Sequence, residues 1–244
     1  MSDRKYLSWD IEIVKEIPED GDWLEYRPLG ISCAATLAYD SSLEVQEEPI
    51  VWYAGQDGVD TLVSAPMARV ELNPMLDYMV GKVAEGYSIL TWNGLKFDFD
   101  VLAEESGMPK LCAFLAMTHV DVMYQFFCMK GFPCALAKAA QGLGLPGKTE
   151  GMTGAVAPVL WAGSLEDRQK VLRYVAGDVE ALLAIVKVID ATGLFKWVTT
   201  RGITKTVRMG DWLTVKQASN LPVPDNSWMD KPMLREDFYK WTTV

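Results

Sequence analysis

The stretch that most restricts this chain is Leu7-Ser8-Trp9-Asp10-Ile11-Glu12-Ile13, in which apolar and polar residues alternate without a break. A period of two is the pattern of a β-strand with unlike faces. Leu7, Trp9, Ile11 and Ile13 take one face, as core residues do, and Ser8, Asp10 and Glu12 take the other. Alternate residues of a strand lie about 7 Å apart between Cα atoms, so the two carboxylates share a face at short range. Each raises the cost of ionising its neighbour. Two arrangements resolve this: a solvated acidic face, or a divalent cation taking both as oxygen ligands.

Further strands are expected over 30–39 and 44–53, with Pro49 on an edge or at a bulge, which makes an antiparallel meander with the first. Met75, Leu76, Met79, Val80 and Val83 predict a helix over 73–84, and SILTW at 88–92 predicts a short buried strand. Asn93-Gly94 is a turn signal, with Gly94 able to take positive φ and a helix starting near Phe97. Asp98 then falls in the first helical turn, at the carboxyl end of a strand. That position suits an acid that complements the helix dipole and also a ligand site of an open α/β sheet. Residues 118–122 suggest a short strand, with Asp121 in a strand-end or capping role and His119 structural. A helix over 135–143 stops at Gly144, and Lys148 and Thr149 open a polar loop where they either meet phosphate or stay solvated.

Residues 164–189 carry the clearest helical pattern, opened by a shortened capping box of Ser164 with Asp167. Val171, Tyr174, Val175, Asp178, Leu182 and Ile185 share one face. An aspartate in such a stripe costs several kcal/mol unless it is paired, ligating or able to reach water at an edge. Beyond residue 199 the pattern weakens into a locally basic stretch and a tail with Trp212, Trp228, Phe238, Tyr239 and Trp241. Those rings fit either an ordered extension packed on the domain or a stacking face for nucleic acid.

With 244 residues, half of them hydrophobic, the chain has the material for one large α/β domain or for one domain plus an appendage. No apolar run of membrane-spanning length occurs, and the N-terminus carries no apolar signal region, so a cytoplasmic location is expected. Cys33, Cys112, Cys128 and Cys134 are scattered, as buried free thiols in a reducing compartment would be. The net charge of −10 argues against an extended nucleic-acid face, although bound cations would offset part of it.

Taken in order, Trp9-Asp10-Ile11-Glu12, the run from Asn93 to Asp98 and Tyr174-Val175-Ala176-Gly177-Asp178 resemble the three motifs of the DEDD 3′–5′ exonucleases of the ribonuclease H-like fold. The tyrosine of the last motif points to the DEDDy branch. The stretch 119–178 is similar to the predicted exonucleases related to the proofreading domain of family B DNA polymerases. The resemblance spans about residues 5–190. It implies an α/β, ribonuclease H-like mixed sheet, an antiparallel meander followed by parallel strands, flanked by helices. It also implies an exonuclease domain over 1–195 and a C-terminal extension over 196–244. By the same resemblance Asp10, Glu12, Asp98 and Asp178 ligate two Mg²⁺ or Mn²⁺ ions, Tyr174 orients or helps activate the attacking water, and Asn93 shapes the loop or touches the terminal nucleotide; Lys148 of the polar loop is the further candidate for substrate binding. Asp98, rather than nearby Asp100, matches the motif spacing. The expected activity is two-metal hydrolysis at single-stranded DNA or RNA ends. A non-catalytic binding module of the same fold and a small-molecule nucleotide or dinucleotide phosphodiesterase are the alternatives. In this reading Leu7–Ile13 is the central strand, and its polar side is the floor of the metal site.

Overall fold

A computed structural model describes residues 4–18, 20–43, 45–55, 62–146 and 152–243. The alternating stretch forms β1 (Lys5–Ile13), which pairs antiparallel with β2 (Ile31–Asp40) along its whole length. Two short strands, β3 (Val45–Gln46) and β4 (Ile50–Tyr53), both pair antiparallel with β2. The single strand expected over 44–53 is therefore broken in two, and Pro49, which has no N–H for a ladder, sits in the break.

Helix α1 (Arg69–Ala84) leads into β5 (Ser88–Thr91), which lies parallel to β1. Helices α2 (Asp98–Ser106) and α3 (Pro109–Thr118) precede β6 (Val120–Asp121), which is parallel to β5. The sheet order is β3-β2-β1-β5-β6, with β4 also on β2, so β1 is the central strand of a mixed sheet flanked by helices. Next come α4 (Val122–Lys130), α5 (Leu136–Leu143), α6 (Ala157–Ala162) and the long α7 (Leu165–Thr192).

Each face of the sheet has its own core. Leu7, Trp9, Ile11 and Ile13 meet α1 and α2 through Leu72, Met75, Met79 and Phe99. The opposite face carries Ala35, Leu37 and Leu90 and is covered by Val171, Val175, Val179 and Leu182 of α7. The polar side of β1 is thus roofed by a helix rather than open to water: Ser8 is fully buried and donates to the carbonyl of Val179 at 2.9 Å. Helix α7 begins as its sequence predicts, with reciprocal bonds between Ser164 and Asp167, and ends at Gly193 in the left-handed region. The four cysteines are buried and unpaired.

After α7 a hairpin of β7 (Leu194–Val198) and β8 (Thr204–Arg208) packs Phe195 and Trp197 on the second core. Short helices α8 (Val215–Ala218) and α9 (Glu236–Tyr239) follow. Phe238 is buried against Tyr124 and Phe127, and Trp241 donates its indole N–H to the carbonyl of Leu95 at 2.8 Å. Arg235 caps four carbonyl groups, those of Ser219, Leu221, Pro222 and Cys128. Among the described residues no helix is long and apolar enough to cross a membrane.

Candidate metal centre and active-site cleft

Asp10 and Glu12 project from the polar side of β1 towards Asp178 on α7, and one carboxylate oxygen from each lies within 4.8 Å of the others. Glu12 is 6% exposed and Asp178 9%. Asp10 is half-buried, and three carboxylates this close, with two of them largely cut off from water, repel strongly unless protons or cations intervene. A hard divalent ion fits such an all-oxygen set.

Asp98 approaches the same place from the other side. The β1–β5 ladder ends at Ser8 and Leu90, which among the described residues leaves that edge of β1 beyond Ser8 without a strand partner. Asp98, at the start of α2, uses that edge: its Oδ1 accepts the backbone N–H of Ile11 at 3.2 Å. Its carboxyl group also hydrogen-bonds that of Asp10. Burial, seconded by the charge of Asp121, raises the Asp98 pKa well above the usual carboxylate range, against the pull of backbone N–H groups and Asp10. Asp98 lies outside the tightest trio, and Asp10 links it to that trio. Asp100 points elsewhere, into an ion pair with Arg27 at 2.6 Å, so of the two neighbouring acids Asp98 is the one in the cleft.

The loop that delivers Asp98 is held from beneath. The carboxylate of Asp121 accepts the backbone N–H groups of Asn93 and Leu95, each at 3.0 Å, and of Tyr124 at 2.9 Å. Asn93, not Gly94, takes positive φ, at 70°. Gly94 is required for space instead: a Cβ there would lie 2.6 Å from the side chain of Thr91. Thr91 cannot easily yield, because its hydroxyl bonds Nε2 of His119 at 2.8 Å. The other ring nitrogen of His119, Nδ1, donates to the carbonyl of Ala116 at 2.6 Å. Burial lowers the His119 pKa to about 4, so this imidazole is a neutral structural group and not an acid or base of the cleft.

Asp10, Glu12, Asp98, Asp178, Tyr174 and Asn93 line a common hollow of about 480 Å³. Tyr174 hydrogen-bonds Asp178 one turn along α7. Its pKa is raised, chiefly by burial and then by the charges of Asp178, Glu12 and Asp10, so the phenol keeps its proton at neutral pH. Lys148 lies outside the described residues. Among the lining residues that escaped the sequence reading are Lys15 and Trp92. The position of Lys15 just past the end of β1 was the available signal for the first, whereas nothing local marks Trp92.

No curated protein sequence matches the chain. Among solved structures, a 3′-exonuclease described with 3′-end-specific recognition of a histone mRNA stem-loop shares 14% identity and a TM-score of 0.49, over 85% of this chain and 92% of that one. A full-length 3′-exonuclease shares 15% identity and a TM-score of 0.45, over 92% and 95%. The family profile of the RNase H superfamily matches residues 51–189, more than half of the sequence and inclusive of Asp98, Tyr174 and Asp178. The chain belongs to the RNase H superfamily.

Proposed function

We propose that this protein is a metal-dependent 3′–5′ exonuclease of the DEDDy type, on the branch related to the proofreading domain of family B DNA polymerases. One observation carries the reading: carboxylates from β1 and α7, more than 160 residues apart in sequence, converge within 4.8 Å, and Asp98 joins them through Asp10. A fold without catalysis has no use for so costly a cluster.

In this reading Asp10, Glu12, Asp98 and Asp178 would hold two Mg²⁺ or Mn²⁺ ions. The ions supply an activated water and charge relief on the leaving 3′ oxygen. The protein residues do the rest. Tyr174 stays protonated, steadies Asp178 and turns its hydroxyl to the attacking water as an orienter rather than a base. The Asp121-held loop presents Asn93 to the strand end. Lys148 is assigned to substrate phosphate. Residues 1–195 form the catalytic unit, with 196–244 an extension on it, and the setting is the cytoplasm. The substrate is a single-stranded DNA or RNA end, which needs fewer phosphate contacts than a duplex and so suits a chain of net charge −10.

The test is Mn²⁺-dependent digestion of oligonucleotides blocked at the 3′ or the 5′ end. Stepwise loss from free 3′ ends, stopped by the 3′ block, supports the reading. Cleavage of dinucleotides alone would instead favour a small-molecule phosphodiesterase.

A further inference from the structure

Beside the acidic hollow lies a second one of about 610 Å³, and Trp92, Asn93, Gly154 and Tyr174 line both. The two are lobes of one cleft. Their chemistry differs. The second lobe is walled by Met123, Pro133, Leu136 and Met152, and among the described residues Lys96 is the charged side chain that lines it. A mainly apolar hollow of this size with few polar groups is what an organic ring requires.

Its far wall belongs to the C-terminal segment. Met233 and Phe238 line it, and Lys96 stands over the Phe238 ring at 5.5 Å. Both residues lie beyond 51–189, so this wall is outside the stretch matched to the superfamily. The near wall is rigid. The Trp92 indole donates to the carbonyl of Cys134 at 2.9 Å and stacks on Phe195. The segment is fixed as well, through Trp241 to Leu95 on the loop that leads to Asp98.

We propose that this lobe is a nucleobase subsite completed by the C-terminal segment, with Met233 packing on a base of the strand end and Lys96 meeting its phosphate. The inference rests on the nuclease reading. A base is the occupant because the lobe opens onto the acids that would hold the neighbouring phosphodiester, and because its lining is mainly apolar, with Lys96 as the cation among the described residues. Residues 196–244 are then part of the substrate site, and Met233 and Lys96 are positioning residues for the strand.

The test uses the full chain and 5′-labelled hexanucleotides in which each of the last three bases in turn is replaced by an abasic tetrahydrofuran unit. KM is measured with Mn²⁺, and Kd with Ca²⁺ by fluorescence anisotropy. In the wild type, one abasic position raises KM and Kd by about fivefold or more. In Met233→Ala, a half-buried site that spares the Phe238 core, the same position costs less than about twofold, since protein and substrate changes remove one contact. Lys96→Gln raises KM with little change in kcat, and Lys96→Arg restores it. A positional penalty equal in Met233→Ala and wild type, or absent from both, overturns the inference while leaving the nuclease reading intact. Coupled penalties in Kd without any cleavage uphold the subsite and sink the nuclease reading. No binding and no cleavage sink both.

Discussion

Asp98 Oδ1 accepts the backbone N–H of Ile11, the residue between Asp10 and Glu12 on β1, at 3.2 Å. One bond thus joins the start of α2 to the strand that carries the other two N-terminal acids. An amide oxygen can make the same bond, so Asp98→Asn is expected to fold normally. The folded pKa of Asp98 is raised, so without metal its ionisation takes stability away as pH rises from the unfolded carboxylate value to the folded one. Asp98→Asn should flatten that decline in metal-free thermal melts while lowering Mn²⁺-dependent cleavage more than about a hundredfold. Undiminished cleavage would remove Asp98 from the site.

Gly94 faces a side chain that is itself held. Gly94→Ala would put its Cβ 2.6 Å from Thr91, whose hydroxyl is bonded to His119. The loop must shift, at a cost of roughly 1–3 kcal/mol, measurable as a lower urea midpoint. Because the loop leads into Asp98, kcat should fall as well. Gly94 does not have positive φ, so the cost arises from this contact and not from backbone strain.

His119 gives an acid-side signature of the opposite sign to Asp98. Its folded pKa is lowered to about 4, so below the unfolded value near 6.5 the unfolded chain takes up a proton that the native chain refuses. Stability should fall as pH drops from about 6.5 to 4, by roughly 3 kcal/mol in all, with no further loss from this group below that window. Subtracting the stability–pH curve of His119→Gln isolates the effect. A wild-type curve parallel to that of the variant would contradict it.

Tyr174 and Asp178 lie one turn apart on α7, with the hydroxyl bonded to the carboxylate. Tyr174→Phe keeps the buried ring and loses the hydroxyl. If Tyr174 orients water, kcat falls roughly ten- to a hundredfold while Mn²⁺ affinity stays within about threefold. A loss of metal affinity as large as the loss of kcat would make the hydroxyl a support for Asp178 alone.

Local pattern carried most of the architecture. Period-two alternation marked β1, the helical stripe through Tyr174 and Asp178 marked α7, and Ser164 with Asp167 marked its start, because each depends on residues within a few positions of one another. What stayed hidden depends on contacts across the chain. Gly94 lacks a side chain where Thr91 fills the space, while positive φ falls on Asn93. The Asp98–Ile11 bond exists because the β5 ladder stops short, which the sequence of β1 does not record. The wall of Met233 and Phe238 comes from a segment with weak periodicity, fixed by Arg235 and Trp241 through bonds to distant carbonyls.

Everything proposed for the cleft depends on Asp10, Glu12, Asp98 and Asp178 forming a divalent-cation site. Calorimetric titration of the metal-free protein with Mn²⁺ tests it most directly. Saturable binding of two ions at or below millimolar concentration is expected, with at least one lost in Asp178→Ala while its circular dichroism stays that of the wild type. No binding by the wild type at millimolar Mn²⁺, or equal binding by Asp178→Ala, would contradict it.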